Sequence, residues 1–104
     1  MPKFMFIYHG GGRPETPEEG AKVMAAWGAW MEGMGEAMVD GGNPAGMSKT
    51  VTANGVEDNG GANPASGYTL VSAENMDAAL ALAKGCPILE GGKGTVEVAE
   101  AMEM

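Results

Sequence analysis

The sequence predicts an α+β fold of the ferredoxin-like type, β-α-β-β-α-β, with a four-stranded antiparallel sheet and both helices on one of its faces. Three observations predict it. Two stretches of helical periodicity begin behind capping residues, Thr16 and Asn75. Short runs of β-formers flank each stretch. Clusters containing Gly or Pro punctuate the joints between them. At 104 residues and 10.6 kDa the chain is expected to be one domain, 1–104, too short for two that fold independently.

Lys3 to His9 reads as a strand, rich in Phe, Ile and Tyr and stopped by Gly10, Gly11 and Gly12. Phe4, Phe6 and Tyr8 alternate with Met5 and Ile7, so both faces of this strand are apolar and both need cover. Helices supply one cover; a second sheet, from a second copy, supplies the other. A homodimer is therefore expected. Thr16-Pro17-Glu18-Glu19 announces the first helix, with Thr16 as N-cap, Pro17 at its first position and Glu19 at the capping-box position. Val23, Trp27, Trp30, Met31, Met34 and Met38 follow as one apolar stripe. Gly28, Gly33 and Gly35 cost helix propensity, on the order of 1 kcal/mol each. A close approach of helix to sheet would give a reason for them.

Asp40-Gly41-Gly42-Asn43-Pro44 reads as a turn. Ser48 to Ala53, alternating Thr and Val, is predicted to be the second strand, ending at Asn54-Gly55. Glu57 to Pro64 is loop, and Gly67 to Ser72 the third strand. Asn75 caps a second helix with Met76, Ala79, Leu80 and Ala83 on one face, and Gly85 and Pro87 stop it. Thr95 to Ala99 is the last strand, followed by a loose tail from Glu100.

Six basic against fourteen acidic residues leave a net charge of −8, which argues against nucleic acid and against an anionic membrane surface as partners. No stretch approaches the ~18–20 apolar residues of a membrane span. The N-terminus lacks the features of a signal peptide, and the lone Cys86 fits a reducing compartment, so a cytoplasmic location is expected. One Cys and one His cannot build a structural zinc site. Gly60-Gly61 and Gly91-Gly92 match no phosphate loop, and no cofactor is expected.

Five segments, in order along nearly the whole chain, resemble the YCII-related superfamily of small dimeric α+β barrel proteins. They are Lys3 to Tyr8, the Thr16-Pro17-Glu18-Glu19 helix start, and Asp40 to Ala45. The others are Ser66 to Val71 with the Met76-Asp77-Ala78-Ala79 helix, and Gly85-Cys86-Pro87 ahead of Val96-Glu97-Val98. The resemblance implies a dimeric α+β barrel with a pocket beside the sheet. Relatives include dehalogenase-type enzymes acting on chlorinated muconolactones. Compact members carry a histidine on the first helix and an aspartate before the proline after the second, proposed as an acid–base dyad. This sequence aligns Met24 and Cys86 there, so the dyad does not carry over. Asp58-Asn59-Gly60-Gly61 stands where a longer branch has Asp-Gly-Pro-Phe.

His9 is the one side chain whose ordinary pKa lies near neutrality. At a strand end before three glycines, it is a candidate for proton transfer, or else a solvated histidine. Asp40 is a candidate partner for it if strand and turn converge; turn formation explains Asp40 and Asn43 equally. Arg13 could hold a carboxylate bidentately or simply lie at the surface. Trp27 would line a pocket between first helix and sheet, or only fill the core, and Ser66 and Tyr68 could offer hydroxyl groups to such a pocket. Cys86 reads as a buried small residue, not a nucleophile. Glu97 should face away from Val96 and Val98 and need a partner such as Lys3 or His9. Two functions remain open: a lyase- or isomerase-type enzyme acting on a small carboxylate or lactone, and a non-catalytic ligand-binding or structural dimer.

Overall fold

The computed structural model describes residues 1–11 and 15–103. Its elements are β1 (Lys3–Gly10), α1 (Pro17–Met34), β2 (Met38–Asp40), β3 (Thr50–Thr52), β4 (Gly55–Glu57), β5 (Ala65–Ser72), α2 (Met76–Ala83) and β6 (Gly94–Ala101). Short 3₁₀ segments follow the helices at Gly35–Ala37 and Pro87–Gly92. Four strands form one antiparallel sheet in the order β2-β5-β1-β6, and β3 and β4 pair only with each other. The main sheet with its two helices is the ferredoxin-like arrangement.

β1 lies inside the sheet, between β5 and β6, and its alternation decides the two faces. Phe4, Phe6 and Tyr8 are buried, while Met5, Ile7 and His9 on the other face are half-buried. Val71 and Thr69 stand opposite Phe4 and Phe6, and Val98 and Val96 flank Phe6 and Tyr8 on the other side. Both helices pack on this face through Trp27, Trp30, Met34, Ala79 and Ala83. Burying Phe4 and Phe6 there contributes about 2–3 kcal/mol each.

α1 begins as the sequence predicts. Glu19 N–H donates to Thr16 Oγ1, and Glu19 Oε2 accepts from Glu15 N–H, both near 3 Å. It ends earlier than the apolar stripe does. Gly35 adopts φ +56°, which favours glycine, and its N–H closes on Glu32 O. Met38 keeps phase with the stripe because it enters the same core from β2, opposite Val71. Val23 is half in solvent. The expected close approach at Gly28 and Gly33 is not found, since a Cβ at either would meet open space.

The second strand of the sheet is Met38–Asp40, not Ser48–Ala53. The Thr/Val alternation of 50–52 does make a strand, but it pairs locally across Ala53-Asn54 with 55–57 and stands apart from the main sheet. Local pattern reads the strand; it does not name the partner. The last strand runs two residues further than expected, Ala101 pairing with Lys3. Asn75 caps α2 through Ala78 N–H as predicted.

The helix layer is tied to itself by Trp30. Its indole stacks on Phe6 at 6.2 Å, and its Nε1–H donates to Leu82 O at 3.0 Å. Trp27 meets Tyr8 edge-on at 5.1 Å. Trp30→Ala should therefore destabilise by about 3 kcal/mol, and Trp30→Phe, which keeps the stack and loses the hydrogen bond, by about 1 kcal/mol. Urea titration checks both. Gly42 sits at φ +71°, where a Cβ would run into the Tyr68 carbonyl, so Gly42→Ala should cost more than Trp30→Phe.

Candidate functional site

The face of the sheet that no helix covers carries the candidate site. Along β1 it presents Lys3, Met5, Ile7 and His9. Leu70 and Ala99 flank Met5, and Tyr68 and Glu97 flank Ile7. The middle is apolar, and the charged and polar groups gather toward the His9 end.

His9 and Glu97 lie on neighbouring strands one diagonal step apart, since His9 pairs with Thr95 and Ile7 with Glu97. His9 Nε2 is 2.9 Å from Glu97 Oε1, and Nδ1 is 3.3 Å from the Pro64 carbonyl. Both neighbours are acceptors, so the doubly protonated ring satisfies the geometry best. The hydrogen bond to Glu97 raises the His9 pKa above its ordinary 6.5; partial desolvation opposes the rise, and the Pro64 carbonyl adds to it. The His9 side chain is 11% exposed and that of Glu97 59%, so the carboxylate is the member with reach into solvent.

A bulge in β5 shapes the neighbourhood. Tyr8 pairs with Gly67 and His9 with Ala65, which leaves Ser66 as the extra residue. Ser66 Oγ is buried with no hydrogen-bond partner, while its carbonyl accepts from Ala45 N–H. Tyr68, 41% exposed, stands beside Ile7 on the open face.

The other expected site residues do not join this group. The Asp40 carboxylate accepts from Gly42 N–H at 2.8 Å, as a turn residue does, and β5 separates β2 from β1, so Asp40 and His9 do not converge. Asn43 is exposed and offers its carbonyl to Tyr68 N–H. Trp27 packs against Tyr8, on the helix-covered face, whereas His9 follows Tyr8 in β1 and points to the opposite face. A single pocket holding both between α1 and the sheet is therefore ruled out by strand alternation. Arg13 lies outside the described residues. Met24 is 77% exposed.

Beneath the sheet is a polar group that periodicity did not reveal. Tyr8 Oη–H donates to Thr69 Oγ1 at 2.6 Å, and Thr69 donates to Gly41 O at 3.0 Å. Burial pushes the Tyr8 hydroxyl far above its ordinary pKa and raises the Cys86 thiol as well. Its one sequence signal was a threonine at a core-facing strand position. Two hollows lie elsewhere. One of about 660 Å³ opens between α1 and residues 84–90, with Trp30, Lys84 and Glu90 on its walls. The other, about 440 Å³, lies near Met1, Ser72 and Leu82. Among the described residues no three His, Cys, Asp or Glu side chains converge to hold a metal, and no helix is long and apolar enough to cross a membrane.

The sequence matches no family profile and no curated protein. The fold is similar to that of 5-chloro-2-hydroxyhydroquinone dehydrochlorinase (TftG) from Burkholderia phenoliruptrix AC1100, solved in complex with 2,5-dihydroxybenzoquinone. The TM-score is 0.56 at 16% identity, covering 96% of this chain and 95% of that one. At that identity the likeness speaks for the fold.

A raised folded-state pKa means that the His9–Glu97 pair stabilises fully below the unfolded value and loses its contribution as pH rises through the folded one. NMR titration of the His9 ring should give a midpoint above 6.5, falling toward that value in Glu97→Gln. The stability gap between wild type and Glu97→Gln should narrow as pH rises past the wild-type midpoint. An unchanged midpoint would remove the pair as its cause.

Proposed function

We propose that this chain is a small-molecule-processing enzyme of lyase or isomerase type, built as a YCII-like homodimer, and that His9 and Glu97 on the open sheet face carry its proton transfers. The observation that supports this most is the 2.9 Å pair itself: an imidazole nitrogen held on a carboxylate oxygen, at the end of a face whose centre is apolar. Eliminating a leaving group or shifting a double bond requires one proton to be taken from carbon and developing charge on oxygen to be stabilised. Glu97, the exposed member, takes the proton from carbon while His9 gives one to a substrate oxygen that displaces the carboxylate. Collapse of the resulting enol returns that proton to His9 and either expels the leaving group as its anion, the proton on Glu97 passing to water, or takes the Glu97 proton back at a new carbon. Tyr68, 41% exposed and paired with Ile7 toward the His9 end, offers the flat apolar surface that a ring would lie on.

The substrate class is a small cyclic compound with an acidic or carbonyl oxygen: a lactone, a carboxylate or a hydroxyquinone. The dehydrochlorinase with the similar fold acts on a chlorinated hydroquinone, which supports the last of these. The buried, unpaired Cys86 is consistent with a cytoplasmic site of action.

A non-catalytic dimer is the second reading, and one observation favours it. Both His9 ring nitrogens already face protein acceptors, and neither hollow adjoins them, as in a clamp that only fastens β1 to β6 and to the segment before β5. Turnover decides. Against a panel of lactones, small carboxylates and chlorinated hydroxyquinones, the enzyme reading expects a turned-over compound. His9→Gln and Glu97→Gln should each lower kcat/KM for it by about 10²–10⁴-fold. Turnover indifferent to both substitutions would overturn the assignment of these residues.

A further inference from the structure

We propose that the hairpin β3–β4 is an arm that clasps a second copy of this chain, laying its valine face against that copy beside the open sheet. The inference rests on the homodimer of the preceding reading and says how it is held.

The hairpin has the wrong surface for solvent. Val51 and Val56 form a direct cross-strand pair, 78% and 66% exposed, while Thr50 and Glu57 face the other way. Met47, just ahead of it, is fully exposed. An isolated two-stranded hairpin is marginal in water and needs a third layer to hold it. Among the described residues, no hydrogen bond or ion pair joins residues 47–58 to the four-stranded sheet.

Its stem, in contrast, is fixed. Thr50 Oγ1–H donates to Asn59 O at 2.7 Å, and Lys49 pairs with Asp58 at 2.8 Å. At Gly60 a Cβ would meet the Ser48 hydroxyl and the Pro64 ring, so the stem closes tightly onto Pro64. Pro64 is the residue whose carbonyl faces His9. The arm thus springs from the His9 end of the open face, with a valine stripe and no hydrogen-bonded partner beyond its own stem among the described residues.

The area is of the size that a second copy would cover. The chain exposes 7352 Å², whereas a compact monomer of this mass exposes about 5,500 Å². Its Cα radius of gyration is 14.9 Å, against about 13 Å for a compact chain of this length. Doubled across a two-fold axis, that excess is roughly 3,700 Å², within the range of obligate homodimers. Both complementary surfaces, the arm and the uncovered face with Met5, Ile7 and Leu70, belong to one chain, as an isologous contact requires. The arm itself carries little net charge, with Lys49 against Glu57 and Asp58, so it adds little to the repulsion expected between two chains of −8.

Light scattering and filtered NOE spectroscopy test it. Wild type should have twice the 10.6 kDa chain mass at micromolar concentration. The double variant Val51→Asp, Val56→Asp alters only exposed side chains and should keep the wild-type circular dichroism, while its dimer dissociation constant rises at least 100-fold. In a mixture of ¹³C-labelled and unlabelled wild type, the Val51 and Val56 methyls should show NOEs to the unlabelled copy. A double variant that dimerises as tightly as wild type, or valine NOEs confined to one chain, overturns the arm and leaves the enzyme reading standing. A monomeric wild type overturns the arm and the dimer together; turnover that depends on His9 and Glu97 would still be scored separately.

Discussion

β1 is hydrogen-bonded along both edges and apolar on both faces, and the other elements are arranged around that demand. Phe4, Phe6 and Tyr8 require cover, and α1 and α2 give it, held by the two tryptophans and the small Ala79 and Ala83. Met5 and Ile7 require cover as well, and among the described residues no helix or second sheet supplies it. Helices reach only one side of a four-stranded sheet in this topology. The uncovered side is therefore both a stability deficit and the place where chemistry can be put. Apolar area left in water forfeits about 25 cal/mol for each Å² that a partner would otherwise hide.

The polar groups fall on the two faces according to what each can tolerate. On the buried side, Tyr8 and Thr69 satisfy each other and pass the last hydrogen to the Gly41 carbonyl, which holds β1, β5 and the start of the loop after β2 together. That chain of donors is closed and leaves no ionisable group in a usable state near neutral pH. On the open side, His9 and Glu97 hold each other at 2.9 Å and both keep contact with water. The adjacent residues Tyr8 and His9 fall on the buried and the open face because side chains alternate along a strand.

Alternation and capping were legible in the sequence. The faces of β1, both helix starts, the positions of Glu97 and of His9, and the ferredoxin-like order all follow from period-2 and period-3.6 patterns. What was not legible required a partner to be named across distance. Met38 continues the helical phase, yet belongs to a strand because Gly35 ends the helix through a backbone conformation. The Thr-Val-Thr run of 50–52 pairs with its own neighbour, so the sheet takes its edge strand from Met38–Asp40, whose three residues are too few to show alternation. Asp40 was a candidate partner for His9 by proximity of loops, but the strand order places β5 between them. The Pro64 carbonyl has no sequence signature as a histidine partner.

Whether the open face is covered in solution is measured directly by methyl relaxation with a soluble paramagnetic chelate. Met5, Ile7 and Leu70 on the open face should be protected nearly as well as the buried Val71, with the 77%-exposed Met24 as the accessible reference. Their protection should fall on dilution, as expected for a cover supplied by a second molecule. Methyls of Met5, Ile7 and Leu70 that relax as fast as that of Met24 at every concentration would contradict the account.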